Sequence, residues 1–359
     1  MQYTDTQNAF WNEHTRNEAA FGADTLKQAL DTADEAAFVL HTGDLVETEE
    51  VEDEWVDLFE KSEEHWLQQP LAVAAGNHDD NVLNHGDMPV YGKFNEHINV
   101  PVTNDHISGG SYYSFDYNKV HVVVANTNDN REYGALGEQQ LAWMEEDIRK
   151  ARENGAEWIV LAYHKPLFSK SYHSLGDKDV QAVREDFMRL IDDLDVDLAL
   201  QGHDHVLSRT KPLTFTEEND FNAEVEQTEV VLGDDNVEYY KNPEGTVFVL
   251  PNTAGTKAYA DYYGRSLDFI HEARSGLEWL DQQQVDYYNN LFAFGGQPQK
   301  DSVFADSYSN NRDSAVQSFA VYTVDGNRLE VEMYQVYGEL LEGEERVVEK
   351  IHEFGIIKD

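Results

Sequence analysis

The chain has 359 residues, 40% of them apolar, and its 26 Lys and Arg stand against 70 Asp and Glu, a formal net charge of −44. That length can bury one large α/β core or two modest ones, and the composition is not that of a disordered acidic tail. The field of so many acids repels polyanions and anionic bilayers, which argues against nucleic acid and membrane surfaces as partners. The absence of cysteine removes disulfides, zinc–thiolate sites and thiol nucleophiles. The acids are spread along the whole chain, a pattern of adaptation to high salt, where screening removes much of the self-repulsion. A cation-seeking surface is the alternative reading.

The start, Met1-Gln2-Tyr3-Thr4-Asp5, has neither the basic nor the apolar region of a signal peptide. It reads as the last residues of a strand running into a loop, truncated from a longer precursor, and the expected location is outside the cytoplasm. No stretch reaches the ~18 apolar residues of a spanning helix. Helical patterns are expected at 17–32, 51–66, 138–153 and 178–194. In the third, Leu141, Met144 and Ile148 share a face and Gly155 ends the helix. Short aliphatic runs at 36–40, 71–75, 120–125, 158–162 and 196–200 suit strands buried on both faces. The acidic stretch 214–241 reads as a loop-like insertion and 246–250 as another strand. A second insertion, 259–306, is rich in Tyr, Gln and Asn and reads as a helical excursion. Alternation at 318–324 and 329–336 about Asp325-Gly326-Asn327 gives a hairpin. Strand–helix alternation indicates one α/β domain of layered sheets and helices.

Polar ligand-type residues follow each strand. Asp5-Thr6-Gln7 ends the first, Gly43-Asp44-Leu45-Val46-Glu47 follows the second, and Gly76-Asn77-His78-Asp79 the third. His164-Lys165-Pro166 and Gly202-His203-Asp204-His205 follow two later ones. The carboxyl ends of strands are where α/β folds place their sites. Asp, Asn and His together are an oxygen and nitrogen ligand set for borderline divalent metals, not a calcium cage. A Gly-His-x-His match alone has roughly 0.03 chance occurrences at this composition, and here it joins four other motifs in order.

With those motifs the chain resembles the calcineurin-like metallophosphoesterases, which include the purple acid phosphatases, from Asp5 to about Lys257. The resemblance implies a two-sheet β-sandwich flanked by helices in four layers, carrying two divalent or iron-type ions, Mn, Fe or Zn, ~3.5–4 Å apart. Carried over to this sequence, Asp44 bridges both ions, Asp5 and His205 bind the first, and Asn77, His164 and His203 bind the second. A hydroxide activated between the ions would attack phosphorus in line. His78 would then protonate the leaving oxygen or stabilise charge on the phosphoryl group.

The chain departs from the family pattern at two positions. Many relatives have Asp-x-His at the first motif, whereas Gln7 offers only a carbonyl oxygen, a harder and weaker ligand than imidazole. Glu47 stands where purple acid phosphatases place a metal-binding tyrosine, so no iron–tyrosinate colour is expected. Glu47 is instead expected to pair with His78 and support it as an acid. The implied function is phosphoric ester hydrolysis on a phosphorylated small molecule or peptide, with monoesters favoured over diesters. A non-catalytic metal-binding surface protein is the rival from another class, and a nuclease fits the charge poorly.

Lys165 and Arg209 follow motif residues and are candidates to bind phosphate. His41 and His121 lie beside apolar runs and read as structural. His14, His85, His106 and His173 fall in expected loops or exposed helical positions and are lesser candidates for lining a cleft.

Overall fold

A computed structural model gives the fold and describes residues 1–9, 18–80, 92–101, 112–128, 136–233, 236–298 and 310–359. The candidates His14, His85 and His106 lie outside the described residues. In chain order the first elements are β1 (Gln2–Tyr3), α1 (Glu18–Thr32), β2 (Val39–His41), α2 (Glu52–Trp66), β3 (Leu71–Val73) and α3 (Gly92–His97). Then come β4 (Tyr113–Tyr117), β5 (Val120–Val124), α4 (Glu138–Glu153), β6 (Trp158–Ala162), α5 (His173–Gly176), α6 (Lys178–Asp193) and β7 (Leu198–Leu200). A run of short strands follows: β8 (Leu207–Thr210), β9 (Leu213–Phe215), β10 (Ala223–Val225), β11 (Glu229–Leu232), β12 (Glu238–Lys241), β13 (Val247–Pro251) and β14 (Ala258–Tyr259). The chain closes with α7 (Leu267–Ala273), α8 (Gln282–Asn290), β15 (Phe292–Gly296), β16 (Asn310–Asn311), β17 (Gln317–Asp325), β18 (Arg328–Tyr337) and β19 (Val347–Ile357).

Among the described residues fifteen of these strands form two large mixed sheets, while β9 with β10 and β14 with β16 form two-stranded ones. One large sheet has eight strands in the order β11-β12-β19-β18-β17-β1-β2-β3, the other seven in the order β15-β8-β13-β7-β6-β5-β4. The aliphatic strands are buried on both faces, as their continuous apolar runs require. Val122 and Val124 of β5 face the core between the sheets, with Leu198 and Leu200 from the same sheet and Leu40, Ala320, Val331 and Met333 from the other. Val123, between them in sequence, packs outward with Met144 and Ile148 of α4 and Phe187 and Ile191 of α6. On the far side, Leu26 and Leu30 of α1 cover Tyr3, Val39 and Phe319, while Trp55 and Leu58 of α2 cover Val73 and Ala75. The result is the four-layer sandwich with flanking helices that the family resemblance implies.

Two stretches differ from the sequence expectation. Residues 214–241, expected to be loop-like, contain strands, and β12 extends the eight-stranded sheet by pairing in parallel with β19. The stretch is acidic as a whole, but β11 and β12 are short runs of aliphatic and aromatic residues, Val230-Val231-Leu232 and Tyr239-Tyr240, that pair with each other, β12 also with β19. Within 259–306 the helices α7 and α8 occur as expected, but β15 leaves the excursion to pair with β8 at the sheet edge.

The parallel strands β1, β2 and β3 in one sheet and β5, β6, β7 and β13 in the other set up the site. The loops after β1, β2, β3, β6 and β7 meet at one edge of the sandwich. Cross-sheet hydrogen bonds pin that edge: Gln2 Nε2 donates to the Gln201 carbonyl at 2.9 Å, and His203 N donates to Asp5 at 3.0 Å.

Candidate metal centre and catalytic cleft

Four site residues, Asp5, Gln7, Asp44 and His203, have φ of 55°, 41°, 57° and 70°, a left-handed conformation that non-glycine residues adopt only under constraint. The constraint is a dense set of bonds. Asp5 N donates to the Gly43 carbonyl at 3.1 Å and Gln7 N to the Asp44 carbonyl at 2.9 Å. The buried Asp79 carboxylate accepts from three backbone amides, Asp44 and Gly76 on Oδ2 at 2.8 and 2.9 Å and Leu45 on Oδ1 at 2.9 Å. Burial and the nearby Asp44 charge raise the Asp79 pKa, against those amides. Gly76 must be glycine, because a Cβ there would collide with Asp44.

These loops gather seven of the expected residues. His164 Nε2 lies 3.1 Å from Asp44 Oδ2, 3.1 Å from Asn77 Oδ1 and 3.2 Å from His203 Nδ1. That is the spacing of donor atoms sharing one ion at about 2.1 Å each. His164 Nδ1 donates to the Thr42 carbonyl at 2.8 Å, which fixes the ring and turns Nε2 to the cluster. Burial disfavours a charge on His164, yet Asp44 raises its pKa to about 9, so a proton and an ion compete for the same lone pair. Burial pushes the His203 pKa well down. Burial also opposes ionisation of Asp44, but His164 and His78 hold its pKa far below the usual carboxylate range.

On the other side of Asp44, His205 Nδ1 donates to the Lys257 carbonyl at 2.7 Å and its Nε2 lies 3.3 Å from Asp5 Oδ1. Asp5 also accepts from Thr4 Oγ1 at 2.7 Å. Gln7 points its amide nitrogen at Asp44 Oδ2, 3.4 Å away, and leaves Oε1 buried without a hydrogen bond. The donor set as a whole, carboxylates, an amide oxygen and imidazoles, fits a borderline divalent ion.

Beside this cluster is a cleft of about 890 Å³ whose walls include Asn77, His78, Lys165, His173, His203 and Arg274. The amide of His78 donates to Asp44 Oδ1 at 2.9 Å, and its ring Nδ1 donates to the main-chain carbonyl of Glu47 at 2.7 Å. A carbonyl only accepts, so the Nδ1 proton is fixed and Nε2 is the other functional ring atom. The expected pairing of the Glu47 carboxylate with His78 is therefore corrected: that carboxylate pairs with the Arg312 guanidinium instead. Burial opposes the Glu47 charge, but His78, Lys257 and Arg312 hold its pKa below the ordinary value.

The chain's first 207 residues match the family model for calcineurin-like phosphoesterase. This chain belongs to the calcineurin-like phosphoesterase family. Among curated relatives it is similar to an uncharacterized protein of Mycobacterium tuberculosis, 28% identical over 49% of this chain and 35% of the relative. It is also similar to probable purple acid phosphatase 20 of Arabidopsis thaliana, 25% identical over 40% of this chain and 33% of the relative. Human acid phosphatase type 7 is 25% identical over 60% of this chain and 48% of the relative. The chain thus spans about a third to a half of the length of these relatives. Among solved structures, a purple acid phosphatase from yellow lupin seeds shares the fold with a TM-score of 0.58 and 18% identity, covering 100% of this chain and 53% of that one.

Within this phosphoesterase fold the remaining candidates separate. Lys165 lines the cleft and pairs with Asp179. Arg209, a candidate phosphate ligand, is corrected to a structural role: it is buried between the sheets, donates to Tyr240 Oη at 2.7 Å and stacks 3.9 Å from the Phe354 ring. The twofold alternation of β8 turns Arg209 to the same inter-sheet side as Leu207. His41 is structural as expected, accepting from Gly43 N at 3.2 Å, and so is His121, held between Asp116 at 2.8 Å and Asp147 at 2.9 Å.

His173, a lesser candidate for lining a cleft, does line it. Its Nδ1 lies 2.5 Å from the buried Asp204 carboxylate and its ring centroid 4.2 Å from that of His203. The signal that could have ranked it higher is topological: His173 opens α5 directly after the loop that carries His164. Lys257 and Arg312 were missed because they lie far along the chain, in stretches with no local motif. Among the described residues no helix is long and apolar enough to cross a membrane.

Proposed function

We propose that this chain is a metal-dependent hydrolase of phosphoric esters, working at the Asp44–Asn77–His164–His203 cluster, with phosphomonoesters favoured. The observation that carries the reading is the convergence of four donor atoms, His164 Nε2 and the three that lie within 3.2 Å of it, at the wall of a cleft that also holds His78 and His173. When bound there, a divalent ion such as Mn, Fe or Zn supplies Lewis-acid polarisation and a water nucleophile at neutral pH.

The chain's own residues supply the rest. Asp44, tied to both sides of the cluster, and Asn77, His164 and His203 hold the ion. Asp5 and His205, with Gln7 beside them, are the residues that would hold a second. His78, oriented through Nδ1, presents Nε2 to protonate the leaving oxygen or donate to the phosphoryl group. His173, fixed by Asp204, and Lys165 add donors for the oxygens of a terminal phosphate. Three such groups along one cleft favour a dianionic monoester over a diester, whose second substituent leaves fewer oxygens to bind. The names of the plant and human relatives, acid phosphatases, support the same reading.

The test is to measure bound metal and compare p-nitrophenyl phosphate with its bis-ester under added Mn, Zn or Fe. Faster cleavage of the monoester, lost in His164→Ala, is the expected result. Preference for the bis-ester makes the chain a diesterase. Retained metal without turnover of either ester makes it a metal-binding protein.

A further inference from the structure

The cleft is far larger than a phosphate. Its volume of about 890 Å³ is that of a site for a whole small molecule, so the leaving group of an ester held at the Asp44–His164 cluster lies inside it. Part of its wall comes from the 259–306 excursion, which brings Arg274 and Ser275 there at the end of α7. A line of rings leads to Arg274 from the cluster. The His203 and His173 centroids are 4.2 Å apart, those of His173 and Tyr172 3.8 Å, and the Arg274 guanidinium carbon lies 3.9 Å from the Tyr172 ring. That path is about the length of one aromatic ring with a substituent at each end.

Arg274 differs from the other cation of the cleft. Lys165 is neutralised by Asp179, and the remaining acid of the wall, Asp177, faces His203 at 3.5 Å. Among the described residues no carboxylate pairs with Arg274, in a chain where 70 acids stand against 26 bases. The rings of Tyr172 and Tyr262 flank its guanidinium at 3.9 and 6.0 Å, and its Nε has no hydrogen-bond partner. A guanidinium that rests on a ring by its face keeps its N–H edge for a planar anion such as a carboxylate or a phosphate.

We propose that Arg274 selects phosphoric esters whose leaving group carries a second anionic group, a carboxylate or a further phosphate, bound at the far end of the cleft while the ester phosphate lies at the cluster. The proposal rests on the hydrolase reading and adds the substrate class to it. The overall field of −44 works against a more highly charged ester, so a preference for one has to come from a specific contact.

The test compares kcat/KM for 4-carboxyphenyl phosphate and 4-carbamoylphenyl phosphate, esters of one shape that differ in charge, in wild type and Arg274→Gln. The carboxy-to-carbamoyl ratio should be about 10-fold higher in wild type, a double comparison in which leaving-group chemistry and the overall field cancel. The same cycle with 1,4-phenylene bisphosphate against phenyl phosphate distinguishes the sources: the larger drop assigns the subsite to a phosphate or to a carboxylate. Calorimetry on metal-loaded wild type adds a readout without turnover or mutation, in which 4-carboxybenzylphosphonate should bind more tightly than its carbamoyl analogue. Ratios that Arg274→Gln leaves within about 2-fold, or equal binding of the two phosphonates, would overturn the proposal and leave the hydrolase reading intact. Absence of turnover of every ester by the metal-loaded wild type would overturn both.

Discussion

The Glu47 main-chain carbonyl, not its carboxylate, accepts the Nδ1 proton of His78 at 2.7 Å. The ring is therefore oriented by a group that no side-chain substitution at position 47 removes. The carboxylate pairs with the Arg312 guanidinium instead.

His78→Ala should lower kcat by about 10²–10⁴-fold, the usual worth of an acid–base group, with metal content unchanged. Metal analysis alongside steady-state kinetics checks this, and loss of metal would make His78 a ligand. Glu47→Gln should displace kcat by no more than about 3-fold from wild type, because the main-chain carbonyl that orients His78 remains. A larger displacement would restore the carboxylate–His78 pairing.

Asp79 ties the loop after β3 to the loop after β2 through three backbone amides. Asp79→Asn presents one acceptor oxygen instead of two and turns an amide donor toward a backbone N–H. It should cost about 2 kcal/mol of stability and weaken metal retention, since it frees both Asp44 and Asn77. Urea unfolding with metal analysis is the measurement, and a neutral effect on both would show that the loops hold themselves.

Burial lowers the His41 pKa to about 3 from the ordinary 6.5, against the pull of Asp5. Between those values the unfolded chain binds a proton that the folded chain refuses. Folding stability therefore falls as pH drops from 6.5 toward 3, by about 1.4 kcal/mol per unit from this residue. In His41→Gln that contribution is gone, so the stability advantage of wild type over the variant should shrink as pH is lowered through this window. Paired urea titrations at pH 7 and 4.5 test the sign, and a constant gap would contradict it.

A net charge of −44 works against compactness and against the approach of an anionic ester. Raising salt from 0.01 to 1 M shortens the screening length from ~30 Å to ~3 Å. Both Tm and kcat/KM for p-nitrophenyl phosphate should rise across that range. A fall in both would leave the acidity without this physical account.

Elements with strong period or burial patterns, and the gathering of the candidate ligand residues at strand ends, were legible in the sequence. Strands β5 and β6 and helix α4 are legible because continuous aliphatic runs and a 3.6-residue apolar stripe have few other solutions in water. Asp44, Asn77, His164, His203 and His205 are legible because each follows such a strand and topology sends strand ends to one edge. Tertiary structure alone decided the rest. It made strands of 229–232 and 238–241, short β-forming runs inside an acidic stretch, by pairing β11 with β12 and β12 with β19. It sent Arg209 into the core, because the alternation of β8 fixes a facing that its neighbours in sequence do not reveal. It also brought His173, Lys257 and Arg312 to the centre from long loops. Nothing local marks such residues, since their role rests on electrostatics among groups up to 265 positions apart.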